Sequence, residues 1–516
     1  MAKIKFQIPL PKIKLVGAIQ EPYNLSIATA RTCYSSKGIV ATQDVTKDER
    51  ALAIRDKIAE STLQAGHLTT RQHAHFVFAL ENISRSCIWS FLHAHPFYNS
   101  EQVSQRYVKV KPDSTLIPVF ESQKAQEIYE QTIRHQIELY HRLIELLLVP
   151  AAEEFYRIFP TRERHPEKWA ATIKKKSYEI ARYILPIGTY AYLYHTVSAL
   201  TLLRYAKIAD HFDTPTEQRA VVAQMVNEVK AFDPDFEKEF SDPVPLEETI
   251  EFRVFREHKT NNKFIDEFDR SLEGKTSKLI DYKIHAEQTL AQATRTVLGI
   301  EISDDDALEL LLNPAKNNHL GDTLNVTTMS KLSRAMVHAH YTFRKKISHT
   351  ADSQDQRHRM TPASRPVLES QFTGKPDYIT PILFSLSDQA KEEYENGMKK
   401  IFENINQLLD AGAPFEAAHY LLPNAFPIRF EESGDLLSFH HKWKLRSCYN
   451  SQEEIFFNAI DELMQVREVH PRIAKHILAP CYLRKQAGIK PFCPEGNRYC
   501  GVPVWNRSLE EYERII

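Results

Sequence analysis

YEIARYILP at residues 178–186 returns as FEAAHYLLP at residues 415–423, an offset of 237 residues. Upstream, Ser104-Gln105-Arg106-Tyr107 pairs with Asp355-Gln356-Arg357-His358 at offset 251, and Ser84-Arg85 with Ser333-Arg334 at offset 249. Ordered landmarks at a nearly constant offset constrain the chain to a fused duplicate of one domain. A period this long excludes a solenoid, whose repeats run about 20–50 residues. In a duplicate, either copy can lose part of a site that the other supplies. Copy one is expected over residues 1–235, a charged and proline-bearing linker over 236–262, and copy two over 263–516 with a cysteine-rich tail.

A chain of 516 residues can build two full cores. The formal net charge of −1 gives no global bias toward nucleic acid or membrane, so an anionic ligand has to be held by local cation clusters. The first twenty residues lack the apolar run of a signal peptide, and no stretch approaches the roughly 20 apolar residues of a membrane helix. A cytoplasmic protein is expected. Six cysteines without an export signal argue against a disulfide framework.

The periodicity predicts an α+β class, mainly α. FVFALENI (76–83) reads as a strand and SRSCIWSFLHAH as a helix, followed by a long helix over 123–158. A helical pair is expected over 170–210, interrupted at Pro186 and Gly188. In copy two, TLNVTTM reads as a strand and LSRAMVHAHYTF as a helix. Helices are also expected near 387–410, 412–422 and 435–466.

Phosphate-bearing ligands need fixed charge and forked donors, which arginine supplies. Arg85, Arg106 and Arg182 are the candidates in copy one; Arg334, Arg344-Lys345-Lys346, Arg357, Arg359 and Arg446 are those in copy two. A solvated ion pair is the ordinary role of any one of them. His73-x-His75, His93-x-His95 and His338-x-His340 have the spacing of paired metal ligands on a strand. Two of them fall in expected helices, where i and i+2 do not share a face. Cys448, Cys481, Cys493 and Cys500 crowd the tail, and four thiolates can close a tetrahedral zinc site. No Walker loop, dinucleotide fingerprint or nucleophile elbow is present.

ARTCYSS (30–36), GHLTTRQHAHFVF (66–78), ISRSCIWSFLHAHPFYNSEQVSQRYVKV (83–110) and ARYILPIGTY (181–190) resemble, in order, the landmarks of the flavin-dependent thymidylate synthases. That family has an arginine–histidine–arginine run followed by Ser-x-Arg-Tyr. His93-Ala94-His95 stands where the run is expected in copy one, and Arg344-Lys345-Lys346 is taken as its counterpart in copy two. The resemblance implies FAD, with NADPH and methylenetetrahydrofolate as co-substrates, reductive methylation of dUMP to dTMP, and a homodimer that reproduces the family's tetramer.

It implies Arg446 as the arginine that stabilises charge on the uracil ring, the corresponding residue of copy one being Ala209. It implies Ser104, Arg106, Arg182, Arg357 and Gln452 as substrate-binding. His73, His93, His95, Arg344, Lys345, Lys346 and His441 are implied as cofactor-binding, with Asp322 taken as the counterpart of His73. CPEG…CG endings like this one occur in some relatives, in keeping with a structural zinc. The expected arrangement is one composite site per chain. The alternatives are a catalytically degenerate relative that binds nucleotide or flavin or serves as a scaffold, and a metal-dependent hydrolase built on the histidine pairs.

Overall fold

A computed structural model describes residues 5–6, 10–257 and 262–516. The end of the expected linker, residues 258–261, lies outside the described residues. The chain is mainly helical, with two separate four-stranded antiparallel sheets of the same topology. The first sheet is formed by β1 (Lys12–Ala18), β2 (His75–Ser84) and β3 (Asn99–Gln102). After α1 (Gln123–Ile158) and α2 (Pro166–Ala181) it is completed by β4 (Tyr190–Ser198), in the order β1-β2-β4-β3. Two helices follow, α3 (Ala199–Lys207) and α4 (Pro215–Phe232).

The second sheet repeats the plan with β5 (Ser277–Tyr282), β6 (His340–Ser348), α5 (His349–Asp355) and β7 (Ala363–Ser364). Then come α6 (Asp388–Asp410), β8 (Pro427–Asp435), α7 (Leu436–Arg446) and α8 (Glu453–Val469), with strand order β5-β6-β8-β7.

Two compact units emerge, and neither is one sequence copy. The first holds copy one up to His135 and from Pro186, together with Glu403–Leu422 of copy two. The second holds copy two from residue 262, without that segment, together with Gln136–Leu185 of copy one. Each unit has its own core. In the first, Phe76, Phe78, Leu193, Val197, Val221 and Met225 are buried together; in the second, Tyr341, Phe343, Phe439, Trp443, Leu463 and Val466 are. The Phe439 and Trp443 rings stack at 4.9 Å. Each large side chain fully buried in this way contributes about 1.5–3 kcal/mol.

The long helices over 123–158 and near 387–410 are where the periodicity places them, and the break at Pro186 and Gly188 is real. Three expectations are corrected. TLNVTTM is no strand; it holds a short 3-10 turn, Val326–Thr328, entered through Asn325 at φ 55°. The strand lies later, at His340–Ser348, within and beyond the segment read as helical. Tyr341, Phe343, Lys345 and Ile347 alternate into the core there, and the lysine hides the pattern from a hydrophobicity count. Residues 190–198, read as part of a helical pair, form a strand, and 427–435, left between two expected helices, is its counterpart. Ala191, Leu193, His195 and Val197 face in, while Tyr192 and Tyr194 face out.

The structure also corrects the register of the repeat. Ala199 donates its N–H to the carbonyl of Ala74 at 2.8 Å, as Leu436 does to Ala339 at 2.9 Å. Arg85 donates to Thr189 at 3.1 Å, as His349 does to Phe426 at 2.8 Å. Ser84 and Ser348 each cap the short helix that follows. Ser84 therefore corresponds to Ser348 and His73 to His338, offsets of 264 and 265, whereas Tyr183 and Tyr420 keep 237. Insertions change the offset along the chain, so Ser333-Arg334, Asp355–His358 and Asp322 are not the counterparts that a constant spacing selects.

Candidate active site

The second unit is organised around one buried carboxylate. Glu454, in the first turn of α8, accepts from the Ser348 N–H at 2.7 Å, from the Ser348 hydroxyl, and from the hydroxyl of Tyr183. Burial raises its pKa against the pull of these donors and of nearby Arg182. Gln452 caps α8 through the Ile455 N–H and donates its amide to the Tyr183 oxygen at 2.5 Å. Tyr183 comes from copy one, and its neighbour Arg182 is buried in the same unit. The Arg182 Nε donates to the Glu179 carbonyl at 3.1 Å, and its own carbonyl accepts from Asn424 at 3.0 Å. The structure thus gathers Arg182 and Gln452 from different copies.

The corrected register carries a further consequence. His93-Ala94-His95 corresponds to Arg357-His358-Arg359, a literal arginine–histidine–arginine run lying just past α5. Arg446, the last residue of α7, donates Nε–H to His358 Nε2 at 2.8 Å and Nη2–H to the Gln354 carbonyl at 3.0 Å. Burial, then the Arg446 and Lys442 charges, holds the His358 pKa well below the usual range, so a neutral imidazole accepts from the guanidinium. His441 lies edge-on to His358 at 5.9 Å, its pKa pushed down to about 4 by burial and by Lys444 and Arg446. Lys444 is also driven down, to about 8, by burial that Asp322 opposes.

Behind this group lies a dense ion cluster. Lys345 meets Asp355 at 3.1 Å, Glu432 at 3.1 Å and Glu462 at 2.9 Å, while Lys442 meets Asp355 at 2.7 Å and Glu432 at 2.5 Å. Burial opposes the charges of Lys345 and Asp355, and it is outweighed there by their oppositely charged partners. The cluster fixes the floor from which Asp355 leads into the Arg357 run.

The remaining candidates are distributed as follows. Arg344 pairs with Glu431 at 2.5 Å and Lys346 with Asp269 at 2.6 Å. With Lys345 enclosed by three carboxylates, the whole 344–346 trio is engaged by acidic neighbours. Ser104 and Arg106 lie in the first unit, where Ser104 Oγ accepts the Arg106 N–H at 3.2 Å and the guanidinium sits 5.4 Å over Tyr107. His73 is exposed at the end of a 3-10 turn. His93 is buried and stacks on Tyr98 at 4.5 Å; the Tyr205 hydroxyl bonds His95 at 2.7 Å and His195 at 3.0 Å.

The first unit therefore repeats the frame without its cations. Glu217 accepts from Ser84 at 2.6 Å and from Tyr420 at 2.9 Å. In the place of Arg182 stands buried His419, bonded to Ser86 at 3.0 Å and pushed down to about 3 by burial. Ala209 stands in the place of Arg446.

Cys448, Cys481, Cys493 and Cys500 surround one small cavity in the second unit. Among the described residues, no three His, Cys, Asp or Glu side chains form a closed metal-binding set. Nor is any described helix long and apolar enough to cross a membrane. Sequence reasoning named Arg357 and Arg359 singly but missed the run they form with His358, and it missed Lys444, Tyr183 and Glu454. The run stood in plain view as Arg-His-Arg, and the Leu-Pro pair after Arg182 marked the Tyr183 segment.

Comparison with known proteins agrees with the doubled frame. The family of the thymidylate synthase complementing protein matches in two segments, residues 14–235 and 278–472. The flavin-dependent thymidylate synthase of Saccharolobus solfataricus is 33% identical over 152 residues, 29% of this chain and 57% of that protein. The one from Clostridium tetani is 25% identical over 229 residues, 44% of this chain and 85% of that protein. A third, from Sulfurisphaera tokodaii, is 33% identical over 152 residues and is covered over 58% of its length.

Proposed function

The chain belongs to the thymidylate synthase complementing protein family, and from that premise we propose that it is a flavin-dependent thymidylate synthase with one working site per chain, in the second unit. The reaction is the reductive methylation of dUMP to dTMP. FAD is the cofactor, NADPH and methylenetetrahydrofolate are co-substrates, and the working assembly is a homodimer. The observation that carries the reading is the contact between Arg446 and the Arg357-His358-Arg359 run, in the unit that also holds Arg182 and Gln452.

Anionic groups of flavin and nucleotide need guanidinium forks that are not already spent on carboxylates. Arg357 and Arg359 are half-buried and flank His358, which accepts from Arg446, so the run sets two guanidinium-bearing residues beside the one that holds Arg446, a donor set that suits a phosphate. The Arg344–Lys346 trio does not suit one, since each cation already faces an acidic partner. Bound flavin supplies the hydride relay to the one-carbon unit.

Arg446 stabilises the negative charge that develops on the uracil ring, so that the ring carbon attacks without an enzyme nucleophile. Preorganised electrostatics of this kind are worth about 10²–10³ in rate. His358, held neutral, keeps Arg446 in place and does not compete for its charge. Arg182 and Gln452 hold the nucleotide.

Rescue of a thymidine-requiring bacterial strain tests this. The wild-type chain is expected to support growth, and Arg446→Ala to abolish it while the purified variant keeps its thermal midpoint. Growth unaffected by that substitution, or a purified wild-type protein that gains no flavin absorbance when FAD is added, favours a degenerate binder or scaffold.

A further inference from the structure

Four cysteines from three stretches of the second unit meet around one cavity. Cys448 follows α7, Cys481 sits in the first turn of the helix Pro480–Gln486, and Cys493 and Cys500 lie in the irregular tail, with Glu495 and Tyr499 completing the wall. The cavity holds about 20 Å³, room for one water-sized particle. None of the four is in a disulfide. All four line the space, and among the described residues no three such side chains are already set to hold a metal ion, so a bound ion would draw the thiols together.

Little else accounts for such a cluster. A thiol is a weak hydrogen-bonding group; Cys500 donates to the Val502 carbonyl at 3.6 Å, and no hydrogen bond of this strength explains why four thiols gather here. The tail also lacks regular structure. After Gln486 it holds only three short 3-10 turns among the described residues, so a cross-link would supply order that packing does not.

We infer that Cys448, Cys481, Cys493 and Cys500 bind one structural zinc ion. Four thiolates complete a tetrahedral shell with sulfurs at about 2.3 Å, each thiol releasing its proton to solvent as the metal enters. The space suits a single ion; an iron–sulfur cluster needs more room. The ion fastens the tail where Gly501 sits against the hairpin of copy one. A Cβ on Gly501 would come within 2.5 Å of Phe159 and 2.6 Å of Arg162, and the Arg162 guanidinium lies 4.0 Å over Phe159. That hairpin runs on through α2 to Arg182.

Metal analysis of the full chain, purified under reducing conditions from zinc-supplemented cells, tests the site independently of the reaction. One zinc per chain is expected, released in step with an organomercurial that titrates four thiols, as measured with a colorimetric zinc indicator. Cys493→Ser and Cys500→Ser are expected to lower the zinc content by half or more; if either fails to fold, the titration of the wild-type chain still decides. Stripping the metal is expected to open the tail to limited proteolysis and lower the thermal midpoint. Zinc well below stoichiometry with all four thiols reactive, stoichiometric iron, disulfides among the four, or a metal that can be stripped without effect on proteolysis or midpoint would each overturn the inference.

Discussion

Arg446 and Lys444 stand two positions apart on α7, and the surroundings treat their charges differently. Arg446 remains a cation because guanidinium does not titrate in the accessible range. Lys444 reaches the carbonyls of Leu320 and Asp322, both at 3.4 Å, and burial lowers its pKa to about 8. Asp322 opposes that shift; of the other titratable groups nearby, His440 is pushed down to about 3 by burial and His441 to about 4, so both are neutral throughout the working range.

A base whose folded pKa lies below its unfolded value of 10.5 holds fewer protons when folded. Between pH 8 and 10.5 the unfolded chain therefore binds more protons, and stability rises with pH across that window. Anion binding follows the opposite course, since the ligand loses a positive charge as Lys444 deprotonates. Nucleotide affinity is expected to weaken above pH 8 in the wild-type chain and to stay flat there in Lys444→Met. Calorimetric titration at a series of pH values checks this, and parallel curves for the two proteins would remove Lys444 from the site.

At the scale of elements, a strand end, a helix start and a segment from the other copy form one repeated lock. Ser84, Glu217 and Tyr420 form it in the first unit; Ser348, Glu454 and Tyr183 form it in the second. Each glutamate is buried, so removing the tyrosine hydroxyl leaves a desolvated acceptor short of a donor, costing about 1–3 kcal/mol. Tyr183→Phe and Tyr420→Phe are both expected to lower the thermal midpoint. Only Tyr183→Phe is expected to raise the KM for nucleotide, because its segment carries Arg182 where the other carries His419. An equal KM effect from both would mean that the two frames work alike.

The same elements show what was legible. The helices of α1 and α6 announce themselves through periodicity, as does the returning Leu-Pro segment. The strand β6 does not, because Lys345 occupies a core position that only its three carboxylates make tolerable. The Arg357 run was readable letter by letter, but counting at a constant offset passed over it. Insertions between matched elements shift the register by nearly thirty residues, and only the strand and cap hydrogen bonds restore it.

For the whole molecule, the two units keep one architecture and divide its chemistry. Where the second has Arg357, His358 and Arg359, the first has His93, Ala94 and His95; Arg182 is matched by His419, and Arg446 by Ala209. Three of those positions exchange a permanent cation for a neutral or weakly basic group, and a fourth, Arg359, gives way to a histidine hydrogen-bonded to Tyr205. An anionic cofactor held mainly by charge-assisted hydrogen bonds loses most of its affinity when each fork is removed, at about 1.5–3 kcal/mol per bond. The first unit is thus expected to bind no flavin at concentrations that saturate the second.

Released flavin measured against protein concentration should give one equivalent per chain, falling toward zero in Arg359→Ala, with no second phase on further addition of FAD. Two equivalents would show that the imidazole cluster around His93, His95 and His195 is itself a cofactor site, and the division of labour between the units would fail. A single equivalent that survives Arg359→Ala would instead place the flavin away from the Arg357 run and leave that run to the nucleotide.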